Sequence, residues 1–84
     1  MEKPKVSDAI VRAAVQIILS DKKSYTTSLN YAVNYCKFAV EGFLTGHDLA
    51  VQCLYILNNI THWRHPKAKE VRSILKSFTK EYRL

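Results

Sequence analysis

Apolar residues return every three or four positions along this chain, in four blocks parted by short polar stretches. That is the period of amphipathic helices. Between Asp8 and Ser20, Ile10, Val11, Ala14, Val15, Ile17, Ile18 and Leu19 cover most of a helical circumference, leaving Arg12, Gln16 and Ser20 as a narrow polar edge. A helix this apolar is central in a bundle or part of an oligomer interface. Ser7 can cap it, and Lys22-Lys23-Ser24 ends it. A second helix is predicted over 27–44, capped by Thr26, Thr27 or Ser28, with Leu29, Val33, Cys36, Val40 and Phe43 facing the core. Its outer edge is Asn30, Asn34, Lys37 and Glu41. Tyr31, Tyr35 and Phe38 run between these faces, either as flanking core contacts or as a stacking or protein-binding strip. Gly42 marks close packing or an early end.

Thr45-Gly46-His47-Asp48 is the clearest turn. Gly46 can take the left-handed position that closes the second helix, and Thr45 with Asp48 has the spacing of a capping box for the third. That third helix is predicted over 48–62, with Ala50, Cys53, Leu54, Leu57 and Ile60 inward and Gln52, Tyr55, Asn59 and His62 along a polar ridge. So short a connection makes helices two and three antiparallel neighbours. Pro66 suits the first position of a fourth helix over 66–82, which buries Ala68, Val71, Leu75, Phe78 and Tyr82 with Ile74 beside them. Trp63 packs across the junction and fixes the angle between the last two helices. The pattern describes an all-α, four-helix domain with short loops, a single unit over 1–84.

Composition sharpens this picture. The 84 residues include only two Gly and two Pro, which suits a helical chain. Hydrophobic residues make up 48%, with five Tyr, three Phe and one Trp, more apolar surface than one small domain hides; a homo-oligomer is the expected consequence. The net charge is +6. From His62 to Leu84, Arg64, Lys67, Lys69, Arg72, Lys76, Lys80 and Arg83 stand against Glu70 and Glu81, leaving the first 61 residues nearly neutral. Such an imbalance points to an anionic partner.

The start of the fourth helix contradicts its own electrostatics. Exposed amides at a helix N-terminus carry about half a positive charge and favour acidic neighbours. This chain places Arg64, His65, Lys67 and Lys69 there, with Glu70 the nearest acid. A phosphate or carboxylate on those amides would reconcile the arrangement. The candidate ligand-binding set is therefore Arg64, His65, Lys67, Lys69, Arg72 and Lys76, with His62 or a tyrosine placed to meet a base. The competing reading is a solvated cationic face, with Lys67 paired to Glu70. Lys80 and Arg83 stand where structure alone favours cations.

The sequence argues against an enzyme. It has no paired carboxylates, glycine-rich phosphate loop or nucleophile motif, and its three histidines fall at helix ends. No metal site is expected, since His62 and His65 lie either side of a helix start and no third ligand is near. No cofactor is implied. Cys36 and Cys53 sit within helical patterns and read as buried, reduced thiols of a cytoplasmic protein. The longest apolar stretch, Ala9 to Leu19, is interrupted by Arg12 and Gln16 and falls short of the ~18–20 residues a membrane crossing needs.

Val51-Gln52-Cys53-Leu54-Tyr55-Ile56-Leu57-Asn58-Asn59-Ile60-Thr61-His62-Trp63-Arg64, with Ala68-Lys69-Glu70-Val71-Arg72 and Leu75-Lys76-Ser77-Phe78, resembles stretches of short uncharacterised bacteriophage-type helical proteins. The resemblance covers less than half of the chain and assigns no functional residue. It implies a small accessory protein of the bacterial cytoplasm that blocks host machinery, regulates genes or captures a defence signal. Three functions are expected from these features. The first is a non-catalytic helical protein capturing an anionic ligand, a nucleotide or a nucleic-acid phosphate. The second is a sequence-tolerant DNA- or RNA-binding regulator using the basic helix, although no familiar nucleic-acid module is visible. The third is an inhibitor or adaptor of a host protein acting through Tyr31, Tyr35 and Phe38.

Overall fold

The computed structural model describes residues 6–84. Four α-helices carry the fold: α1 (Asp8–Ser20), α2 (Ala32–Glu41), α3 (Gly46–Asn58) and α4 (Ala68–Glu81), with a short 3-10 turn at Lys22–Ser24 and no strand among the described residues. The helices close a ring in which α1 packs on α2, α2 on α3, α3 on α4, and α4 returns to α1. The expected all-α, four-helix fold is what the chain forms.

One core fills the ring. α1 contributes Val11, Ala14, Val15 and Ile18, α2 Ala32, Val33, Cys36 and Ala39, α3 Leu49, Ala50, Cys53 and Ile56, and α4 Ala68, Val71, Leu75 and Phe78. Leu29, Ile60 and Trp63 enter from the connections. Each large apolar side chain so enclosed contributes about 1.5–3 kcal/mol relative to exposure. α1 is less enclosed than its composition suggests, since Ile10 is 49% exposed.

Side chains from α1 pin the connection between α2 and α3. Ser7 caps α1 by accepting the Ile10 N–H at 3.2 Å. One helical turn on, Arg12 donates to the Leu44 carbonyl at 3.0 Å, and its guanidinium lies 4.3 Å from the centre of the Phe43 ring. Asp8 accepts the Gly46 N–H at 3.1 Å and so supplies the N-cap of α3 from 38 residues away. Thr45, expected to form a capping box with Asp48, makes no side-chain cap bond.

Three local expectations are corrected. α2 begins at Ala32, not Thr27, because the side chains of Ser24 and Thr27 bond locally, to Asp21 and to the Ser24 carbonyl, and hold the backbone in turns. There the Thr27 and Leu29 N–H groups both donate to the Ser24 carbonyl, at 3.1 and 2.9 Å. Phe43, expected in the core, is 68% exposed. It takes the left-handed position at φ 48°, its N–H donating to Val40 O and that of Leu44 to Ala39 O, so Phe43 closes α2 in place of Gly46. Gly46 also has positive φ, 52°, but opens α3. Gly42 is the C-cap of α2, where a Cβ would stand 2.6 Å from the Phe38 carbonyl oxygen. Lastly, α3 stops at Asn58 and α4 starts at Ala68, leaving a longer junction than predicted.

Candidate functional site

The junction between α3 and α4 is tied from three directions. Asn59 donates its side-chain N–H to Tyr55 O at 2.8 Å, and its backbone N–H goes to Ile56 O, which ends α3. Trp63 is 1% exposed, and its indole N–H donates to Asp21 Oδ2 at 2.8 Å, as does the Ser24 hydroxyl at 2.8 Å. These two donors hold the Asp21 carboxyl below its usual pKa of 3.8, with smaller help from His65 and Lys23. The third tie comes from α4. Arg72 donates through one terminal nitrogen, Nη2, to both Ile60 O at 2.7 Å and Trp63 O at 2.6 Å, tying the two ends of the loop between them. Trp63 bridges the junction as its size and place in the sequence suggested.

His65 also works within the junction. Its ring stacks on Trp63 at 5.2 Å, and its Nδ1 accepts the Lys67 N–H at 3.1 Å while its carbonyl accepts that of Ala68 at 2.9 Å. Two donors at the start of α4 are thus satisfied by the chain itself. Arg64 and Lys67 are exposed and line neither the hollow along α4 nor the one beside the end of α3.

The first hollow is an open trough of about 420 Å³ along α4, lined by Lys69, Arg72, Ser73, Lys76, Ser77 and Lys80. These positions fall three and four apart, on the helix face opposite buried Val71, Leu75 and Phe78. From Lys69 to Lys80 the trough runs ~16 Å at the α-helical rise. No carboxylate lines it; Glu81 instead accepts the Val6 N–H at 3.2 Å. Of the sequence-derived candidates it gathers Lys69, Arg72 and Lys76. It adds Lys80 and the hydroxyls of Ser73 and Ser77, whose spacing from Lys69 matched that of the lysines.

A second hollow, about 260 Å³, opens between the α1–α2 connection and the end of α3. Thr27, Ser28, Asn30 and Tyr31 line one side, and Asn58, Asn59, Thr61 and His62 the other. It unites Tyr31 and His62, which the sequence had assigned to different surfaces. Nothing local could have indicated this, because the two walls lie about thirty residues apart. The rest of the aromatic strip is no flanking core contact: Tyr31 is 70% exposed, Tyr35 36% and Phe38 57%. Tyr35 meets Tyr55 of α3 at 5.4 Å between ring centres.

Cys36 and Cys53 are free and buried, and burial pushes both thiols up to about 12. Neutral thiols in a closed core are poor nucleophiles. No helix among the described residues is long and apolar enough to cross a membrane. No protein family, curated protein or solved structure matches this chain.

Proposed function

We propose that this protein is a non-catalytic binder of an extended polyanion, a nucleic-acid backbone, along the exposed face of α4. The supporting observation is the trough itself: three lysines over ~16 Å, interleaved with two serine hydroxyls and free of carboxylates, beside an arginine whose Nη2 is committed to the junction. Lysine and arginine neutralise phosphates, and serine hydroxyls donate to their oxygens without reading sequence. An open trough on one helix has no second wall to enclose a nucleotide, so a chain of phosphates suits it better than a single one. Capture at the α4 N-terminus is the weaker version, because His65 already accepts the Lys67 and Ala68 amides. A cytoplasmic, bacteriophage-type accessory role accords with the sequence resemblance and the two free thiols.

Fluorescence anisotropy of labelled 20-nucleotide strands and duplexes tests this. Affinity should fall with salt at a log–log slope of roughly −2 to −3 for three neutralised phosphates. A Lys69→Ala, Lys76→Ala, Lys80→Ala triple variant should bind at least tenfold more weakly and melt within about 2 °C of the parent. Unchanged affinity and slope in that variant would remove the proposal.

Exposed Tyr35, Phe38 and Tyr55 support a second reading, self-association or adaptor binding through α2 and α3. The same variant separates the two, since a contact made by these rings is indifferent to the α4 lysines.

A further inference from the structure

We infer that the hollow between the α1–α2 connection and the end of α3 receives one unpaired nucleobase of a single strand whose backbone follows α4. This rests on the polyanion reading and narrows it to single-stranded nucleic acid.

Four observations carry the inference. The hollow is lined by no Lys, Arg, Asp or Glu, which suits a neutral group rather than the anion that suits the trough. A base is the neutral part of an otherwise anionic chain. Its volume, about 260 Å³, lies below the ~300–1,000 Å³ of pockets that enclose drug-sized ligands, which suits a single planar ring system. Its chemistry is that of base recognition. Tyr31 offers a largely exposed aromatic ring for stacking, and Asn30, Asn58 and Asn59 carry side-chain amides able to match the donor and acceptor pattern of a base edge. Asn59 already spends an N–H on Tyr55 O, so its Oδ1 remains as an acceptor.

The fourth observation is the connection between hollow and trough. Arg72 lines the trough and grips the carbonyls of Ile60 and Trp63, while the two residues between those carbonyls, Thr61 and His62, line the hollow. A strand leaving the Lys69 end of α4 meets the hollow across this one loop. A duplex has its bases paired and stacked and cannot supply one without opening.

The test compares an intact 12-nucleotide single strand, an abasic strand of equal length and a duplex, and adds adenosine and uridine as phosphate-free probes. The parent protein should bind the intact strand about tenfold tighter than the abasic one, the range expected for one stacked base. A Tyr31→Ala, Asn58→Ala variant should bring the intact strand to the abasic affinity with an unchanged salt slope, and Tyr31→Phe should restore the stacking share. Millimolar adenosine or uridine should shift the NMR resonances of Tyr31 and His62, in the triple-lysine variant as well. Equal affinity for intact, abasic and duplex probes, with no nucleoside shifts, overturns the inference while leaving backbone binding intact. Nucleoside shifts combined with oligonucleotide binding that ignores the three lysines would instead overturn the polyanion reading beneath it.

Discussion

The α3–α4 junction and the outer face of α4 are both rich in cations, yet they use them in opposite ways. In the junction the polar groups of three residues are taken up by the fold: Trp63 with Asp21, Arg72 with two carbonyls, His65 with the Lys67 amide. On the α4 face, Lys69, Lys76 and Lys80 are exposed and line a trough without a counter-charge. Proximity in sequence made these one cluster; geometry separates a brace from a surface. Charge alone does not mark a binding site. What marks it is charge that the fold itself does not consume.

Trp63 should dominate the brace. Trp63→Ala removes a fully enclosed ring and the donor that Asp21 accepts, and is expected to cost about 3–5 kcal/mol in urea unfolding. A loss below 1 kcal/mol would mean the junction does not depend on it.

Arg72 touches both regions and discriminates between them best. Arg72→Lys preserves positive charge in the trough but replaces the rigid, planar donor whose Nη2 meets both Ile60 O and Trp63 O with a shorter, flexible ammonium, so stability should fall by about 1 kcal/mol. Strand affinity, measured well below the melting point, should stay within about twofold. A large loss of affinity at unchanged stability would assign Arg72 to the binding face and dissolve the distinction.

Asp21 gives the smallest effect and the most specific signature. Its folded pKa lies below the ordinary 3.8, so its contribution is present above that value and is lost as pH falls through the lowered one. Thermal midpoints of the parent should therefore drop below about pH 4, whereas Asp21→Asn should have a lower midpoint at pH 7 and a flatter acid limb. Parallel curves for the two proteins would show that the carboxylate charge contributes nothing to the brace.

Much of the fold was legible because it is written locally. The limits of α1, its Ser7 cap and the buried stripe of α4 follow from spacing and capping chemistry within a few residues. Apart from the start of α2, where turns at Ser24 and Thr27 are themselves local, the failures involve partners remote in sequence. Asp8 caps α3 from α1, and a cation from α1 covers the ring of Phe43 where its strained backbone turns. Helical spacing put Arg72 among the solvent-facing cations, with no sign of the carbonyls its Nη2 would reach. The trough is half visible in the sequence, since the lysine periodicity is plain while serines carry no charge to mark them. The polar hollow was not visible at all, because it exists only once two distant turns are brought together.

The closed ring of helices has a consequence for the order of assembly. Three of its four seams join helices consecutive in the chain, and only the seam between α1 and α4 joins the two ends. Most loop-closure entropy is therefore met in short steps, the regime in which small helical domains fold in microseconds to milliseconds. The α1–α4 seam bears the longest closure. Its release is the shortest route by which the ring opens, so native-state hydrogen exchange should find α4 among the first helices to lose protection.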